Sequence, residues 1–169
     1  MTSVAHDTTM VFAPALRHVD SLILGPLAVA ESIIMTFPTP MWGFPDHREF
    51  ALLPAARAGL WWLQSLSAEG ITFLLADPFV LDANYVVDIG DGECNSLEIT
   101  EPSDALSLVM IALPAAPDDT ATANFRAPMV FNVPRQRGMQ IVNRDESNEL
   151  RRPVTLEAFP AQPSGVALQ

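Results

Sequence analysis

Short apolar runs recur along the chain at intervals of about ten residues, separated by Gly, Pro, Asn and Asp. The first is Leu22-Ile-Leu-Gly-Pro-Leu-Ala-Val29, and Glu31-Ser32 parts it from Ile33–Phe37, which is rich in β-formers. The breaker-rich stretch Pro38–Pro45 must be loop. Phe50–Leu53 stops at Pro54, and Leu60–Leu66 and Ile71–Ala76 flank a turn at Ser67–Gly70. Tyr85–Ile89 reads as a strand ending at Gly90. The long, largely apolar Leu106–Leu113 predicts a central strand. Thr122–Phe125, Met129–Val133 and Met139–Val142 complete the set. This spacing, with no amphipathic pattern three helical turns long, predicts an all-β, single-domain antiparallel β-barrel-like fold with minor short helices. Single helical turns are expected at His47–Phe50 and Ala55–Ala58. Residues 1–20 mix Thr, Ser, Ala and His without periodicity and are expected to be a poorly ordered extension. Residues 21–154 form the β-domain, and 155–169, rich in Pro, Ala and Gly, are expected to be a loosely held tail.

Composition narrows the setting. A chain of 169 residues can bury a core without disulfides, and its 15 prolines suit short strands better than helices. One cysteine, Cys94, cannot staple a secreted fold, so a reducing compartment is expected. Met1–Met10 shows no basic region followed by an apolar one, and the apolar run Leu108–Ala116 is short and broken by Pro114. A cytoplasmic protein that makes no membrane contact is expected. Net charge is −11, with nine arginines and no lysine. From Asp77 to Asp119 the chain carries ten acids and no basic residue. Such a surface repels phosphate, so no direct nucleic-acid partner is expected, and it attracts a basic protein. Solubility alone would account for the same charge.

No chemistry stands out. There is no G-x-S-x-G elbow, and Cys94 sits among carboxylates, the opposite of the electropositive setting a nucleophilic cysteine needs. His6, His18 and His47 lack a second ligand at metal spacing. Asp88-Ile-Gly-Asp-Gly-Glu93 has the hard oxygens of a calcium turn without the spacing. Gly90 and Gly92 are not expected to open a helix, which removes a phosphate loop. No metal or cofactor, and no enzyme activity, is therefore expected. Trp42, Trp61 and Trp62 are candidate interface anchors, and alternation on a strand should bury one of the adjacent pair.

Read in order, several motifs resemble the FliW family. They are Ile34–Pro38; Gly43-Phe44 with Asp46, Arg48 and Phe50; Leu52–Pro54; Trp62-Leu-Gln-Ser-Leu66; Phe73-Leu-Leu-Ala-Asp-Pro-Phe79 with Tyr85; Leu106–Leu113; Thr122–Asn132; and Gly138 with Gln140. The resemblance runs from Gly25 to about Pro153. It departs in a short acidic stretch, Asp88–Pro102, where the family often has a helical insert, and in Arg126 and Met139 where lysines are usual. It implies two partners, flagellin before export and the basic RNA-binding translational regulator CsrA, whose repression of flagellin mRNA the free protein would relieve. For such partners the candidate binding residues are Phe44 and Asp46 in the motif loop and Leu63, Gln64, Ser65, Asp77 and Phe79, which join apolar and polar groups near strand ends, with Asp82, Asp88 and Asp104, taken by position in the acid-only stretch, supplying field for the basic partner. Rival readings are a small β-barrel enzyme or ligand-binding domain, and an acidic decoy that competes with RNA for one surface.

Overall fold

The computed structural model describes residues 15–116 and 118–162. The strands are β1 (Leu16–Ser21), β2 (Gly25–Ala30), β3 (Ile34–Thr36), β4 (Glu49–Pro54), β5 (Leu60–Ser65), β6 (Thr72–Ala76), β7 (Leu106–Ala112), β8 (Thr122–Asn132), β9 (Arg137–Gln140) and β10 (Arg152–Pro153). Helices α1 (Pro78–Leu81) and α2 (Asp91–Leu97) lie between β6 and β7. Strands β3 to β9 pair in chain order, and β9 returns to β3, so seven strands close a barrel. Every pairing in the ring is antiparallel except that seam, where Thr36 meets Arg137 in parallel. The Gln136 amide reinforces the seam by donating to the carbonyls of Glu31 and Ile34.

Alternation along the strands explains the barrel's inside and outside. Trp61 and Leu63 of β5, Leu75 of β6, and Leu108 and Met110 of β7 meet Phe37, Phe50, Met129 and Phe131 in one cluster fed from all sides of the ring. This is the interior. The intervening Leu60, Leu74, Ala76, Val109 and Ile111 point outward, yet they too are buried, under Tyr85, Val154 and Phe159. The β1–β2 hairpin covers β3 and β4 through Val29, Ile34, Ala51 and Leu53. Residues of the α2 region cover β8 and β9 through Leu97, Val130, Met139 and Ile141. Strands apolar on both faces therefore belong to a barrel wrapped by its own connections. Gly138 marks the tightest approach: a Cβ there would stand 2.7 Å from Phe37 and 2.8 Å from Phe131, both rings being fully buried.

Several expectations are corrected. Residues 16–20, assigned to the extension, form β1 and pair along their length with β2. The tail is packed as far as it is described: Phe159 is fully buried, Arg57 donates to its carbonyl at 2.8 Å, and Ala161 bridges Arg57. Residues 1–14 and 163–169 lie outside the described residues. His47–Phe50 and Ala55–Ala58 are not helical; Glu49 and Phe50 open β4 instead. Thr122–Phe125 and Met129–Asn132 are parts of one strand, β8, and Val133 starts the turn after it. Its four residues Phe125–Pro128 bulge opposite Val109 alone, which is how a proline is tolerated inside the sheet. Tyr85–Ile89 is not a strand and joins no sheet among the described residues. Gly90 does open a helix, as N-cap of α2, a two-turn element whose first turn carries Asp91 and Glu93 and so does not invite phosphate. Cys94 lies in that helix. Trp61 and Trp62 are both half-buried, Trp61 against the interior and Trp62 against two outer clusters.

Candidate protein-binding surface

The residues nominated by sequence fall into separate places. Leu63, Gln64 and Ser65 are fully buried and offer a partner no side-chain surface, which corrects their nomination. Leu63 belongs to the barrel interior. The Gln64 amide donates to the carbonyl of Ser65 at 2.9 Å and accepts from the Thr72 hydroxyl, bracing the β5–β6 turn. The Ser65 hydroxyl accepts from the backbone N–H groups of Ser67 and Ala68 and meets His47 Nδ1 at 2.9 Å. Buried polar groups need such partners, and the turn consumes all that these two side chains have.

Phe44 follows Gly43, whose φ of +85° makes the turn. Its half-buried ring packs edge-on against Phe73 at 5.2 Å, and Asp46 beside it is exposed. Asp77 lies elsewhere. Ala76 pairs with Leu60 and Thr72 with Gln64, so Asp77 and the Gln64 turn stand at opposite ends of the β5–β6 pair. Five residues part Asp77 from Thr72, about 16 Å at roughly 3.3 Å per residue.

Asp77 is the N-cap of α1: its carboxylate accepts from the Phe79 N–H at 2.9 Å. That fixes Phe79, half exposed, at the mouth of a cleft of about 670 Å³. The cleft lies within the long connection from β6 to β7. One wall is the unpaired segment 85–89 with Val86, Val87 and Ile89; the other, after α2, brings Ile99 and Ala105. Asp88 and Glu101, both exposed, are on its lining. The cleft thus combines an apolar trough with a carboxylate rim, inside the segment that has no basic residue.

Two nominated acids shape this region from behind. Asp82 receives Arg152 at 2.8 Å, and the Arg152 guanidinium stacks over Phe125 at 4.8 Å. That hydrogen bond, aided by the Asn84 N–H, holds the Asp82 carboxyl below the ordinary aspartate range. Asp104 accepts from the N–H of Glu101 and from the N–H and hydroxyl of Thr100, each at 3.0 Å. Those bonds, Glu101 foremost, likewise depress its carboxyl, and they fold the turn that carries Ile99 to Ala105. Tyr85 stands beneath Phe79, donates to the Phe125 carbonyl at 2.7 Å, and has its phenol pushed up by burial.

Of the nominated residues, then, Phe79 and Asp88 line the cleft, Asp77, Asp82 and Asp104 hold its frame, and Phe44 and Asp46 lie apart from it. Val86, Val87, Ile89, Ile99 and Glu101 were not nominated. Their signal is apolar residues interleaved with acids, a pattern that in 85–89 also suits a strand. Among the described residues no group of three His, Cys, Asp or Glu side chains converges on a metal-sized site, and no helix is long and apolar enough to cross a membrane.

Comparison with known proteins agrees with the motifs. The family model described as FliW protein matches residues 18–154. A flagellar assembly factor FliW from Caldicellulosiruptor saccharolyticus is 31% identical over 133 residues, which is 79% of this chain and 87% of that protein. Another, from Treponema pallidum, is 32% identical over 119 residues, 70% of this chain and 78% of that one. A crystal structure of the flagellar assembly factor FliW superposes with a TM-score of 0.74 at 26% identity, covering 83% of this chain and 99% of that one. This chain belongs to the FliW family of flagellar assembly factors.

Proposed function

We propose that this chain binds flagellin in the cytoplasm and, when free of flagellin, binds CsrA and relieves its repression of flagellin mRNA. The observation that carries the reading is the apolar, acid-rimmed cleft beside Phe79. A trough lined by Phe79, Val86 and Ile89 suits the apolar face of an amphipathic helix, the form that flagellin's terminal segments take. Exposed Asp88 and Glu101 supply a field that steers a basic partner, as an RNA-binding regulator must be.

Exclusive use of one cleft by two partners is the simplest switch. A standard interface takes about 800 Å² from each side, so two such partners centred on one cleft collide. Linkage then makes the antagonism reciprocal: flagellin weakens CsrA binding by the factor by which CsrA weakens flagellin binding. The test is a titration of CsrA into this protein with and without saturating flagellin. Apparent CsrA affinity is expected to fall at least tenfold, within the usual range of such couplings. A stable ternary complex at undiminished affinity would sink the reading. Short RNA added to the same titration distinguishes a decoy, which must compete with RNA for CsrA.

A further inference from the structure

Each wall of the cleft is tied to the barrel by a buried side-chain amide, and the end of α2 also by Arg137, which donates to the Ser96 carbonyl at 3.2 Å and pairs with Glu98 at 2.7 Å. Segment 85–89 is irregular and, among the described residues, pairs with no strand. Among the described residues, one hydrogen bond reaches the backbone of 86–89: Asn143 Nδ2 donates to the Val86 carbonyl at 2.7 Å. Asn143 is fully buried although Val86 is 70% exposed. Its own backbone N–H is tied to the Arg126 carbonyl at 2.8 Å, so the amide is anchored to the bulge of β8. The opposite wall follows the C-terminus of α2, where Glu98 turns left-handed at a φ of 56°. There Asn132 Nδ2 donates to the carbonyls of Leu97 and Glu98 at 3.0 and 2.9 Å. Those are terminal helix carbonyls that the helix itself leaves unpaired. Asn132 closes β8 and is 2% exposed.

We infer that Asn143 and Asn132 are positioning residues that fix the two walls of the cleft and so set its width. For partner binding the inference rests on the cleft being the docking site; for the cleft itself it stands alone. A side chain without a donor at Asn143 leaves the Val86 carbonyl without its partner, and the wall has no ladder to fall back on. The same change at Asn132 frees the end of α2 and the turn behind it. Neither asparagine touches the rim, so Asp88 and Glu101 keep their charge and the steering field is preserved.

Cys94 reports on the cleft directly, because it is the sole cysteine and lines the same cavity. The experiment measures the rate at which a bulky maleimide labels Cys94 in native full-length protein. Asn143→Ala and Asn132→Ala are compared with Gln136→Ala, which removes the amide bracing the barrel seam. Asn143→Leu and Asn132→Leu remove the donor while keeping the side-chain volume and adding no buried charge, and they serve where an alanine variant does not fold. Labelling is expected to rise roughly tenfold in the asparagine variants, the size of one lost buried hydrogen bond, and to stay near wild type in Gln136→Ala. Flagellin and CsrA should leave the asparagine variants faster while associating at the wild-type rate. A variant that is merely less stable would instead show a smaller active fraction with unchanged dissociation. Labelling at the wild-type rate, or equal acceleration by Gln136→Ala, would overturn the assignment. If wild-type protein bound neither partner, the proposed function would fail, and the thiol assay would still decide whether the asparagines hold the walls.

Discussion

Phe159→Ala tests whether the C-terminal segment is part of the fold. The ring is fully buried, and a Cβ added to Gly59 would stand 3.1 Å from it. It packs in the outer cluster with Leu60, Ala76, Phe125 and Val154, against strands whose outward faces would otherwise be bare. An aromatic side chain buries roughly 150–250 Å². At about 25 cal/mol per Å² this is worth roughly 4–6 kcal/mol as an upper bound, of which alanine retains a part. Truncations of buried Phe cost about 3–5 kcal/mol, and the lower end applies here because a segment near the chain end can partly collapse into the space. The expected loss is about 3 kcal/mol, or roughly 6–12 °C in Tm for a chain of this size. Urea denaturation and a thermal melt followed by circular dichroism would measure it. A loss under about 0.5 kcal/mol, the range of ordinary surface substitutions, would refute the packing argument and return the segment to a loosely held tail.

The steering field and the latch to the tail give two further expectations. Asp88→Asn, Asp91→Asn and Glu101→Gln together remove exposed charge without disturbing Asp77, Asp82 or Asp104. CsrA association measured by stopped flow should slow on the order of tenfold at low salt, with dissociation little changed and the difference lost at high salt; unchanged association would leave the acids as a solubility feature only. Asp82 is depressed by Arg152, so its contribution to stability is present above the ordinary aspartate range and is lost as pH falls through the folded-state value. Asp82→Asn should therefore lower Tm at about pH 7, and the difference should shrink progressively as pH falls below the ordinary aspartate range; a difference that does not shrink in acid would mean the side chain acts through packing.

How far the sequence could be read depended on how local each cause was. Strands β4 to β6 were legible because their apolar runs and the turns between them are local signals, and β7 read as central because both its faces are covered. The burial of Gln64 and Ser65 was not legible. A polar pair after an apolar run looks like a rim, and only the β5–β6 turn folds that amide and hydroxyl inward. Helix α2 was missed because Asp-Gly-Glu-Cys-Asn-Ser-Leu has poor helix formers and a single buried residue, Leu97. It is held by Asn132, which lies 35 residues away from Leu97. Segment 85–89 failed in the reverse direction: Tyr-Val-Val has strand propensity, but its carbonyl partner is a side chain rather than a neighbouring strand.

The same distinction changes what the acidic stretch means. Counting ten acids treats them as one field, but the structure divides them by use. Asp77 caps α1, Asp82 takes Arg152, Asp104 folds the turn after Thr100, and Glu98 bridges Arg137 at 2.7 Å. These four work inside the fold, and substituting them would confuse loss of field with loss of frame. Asp88 has only a distant companion in Arg144 at 3.8 Å, and Asp91 and Glu101 are exposed. Around the cleft the charges left for a partner are Asp88 and Glu101, while Asp118 and Asp119 stand exposed in the connection from β7 to β8. A run of like charge in sequence sets the sign of a surface, but only the hydrogen bonds show which charges remain to be shared with another molecule.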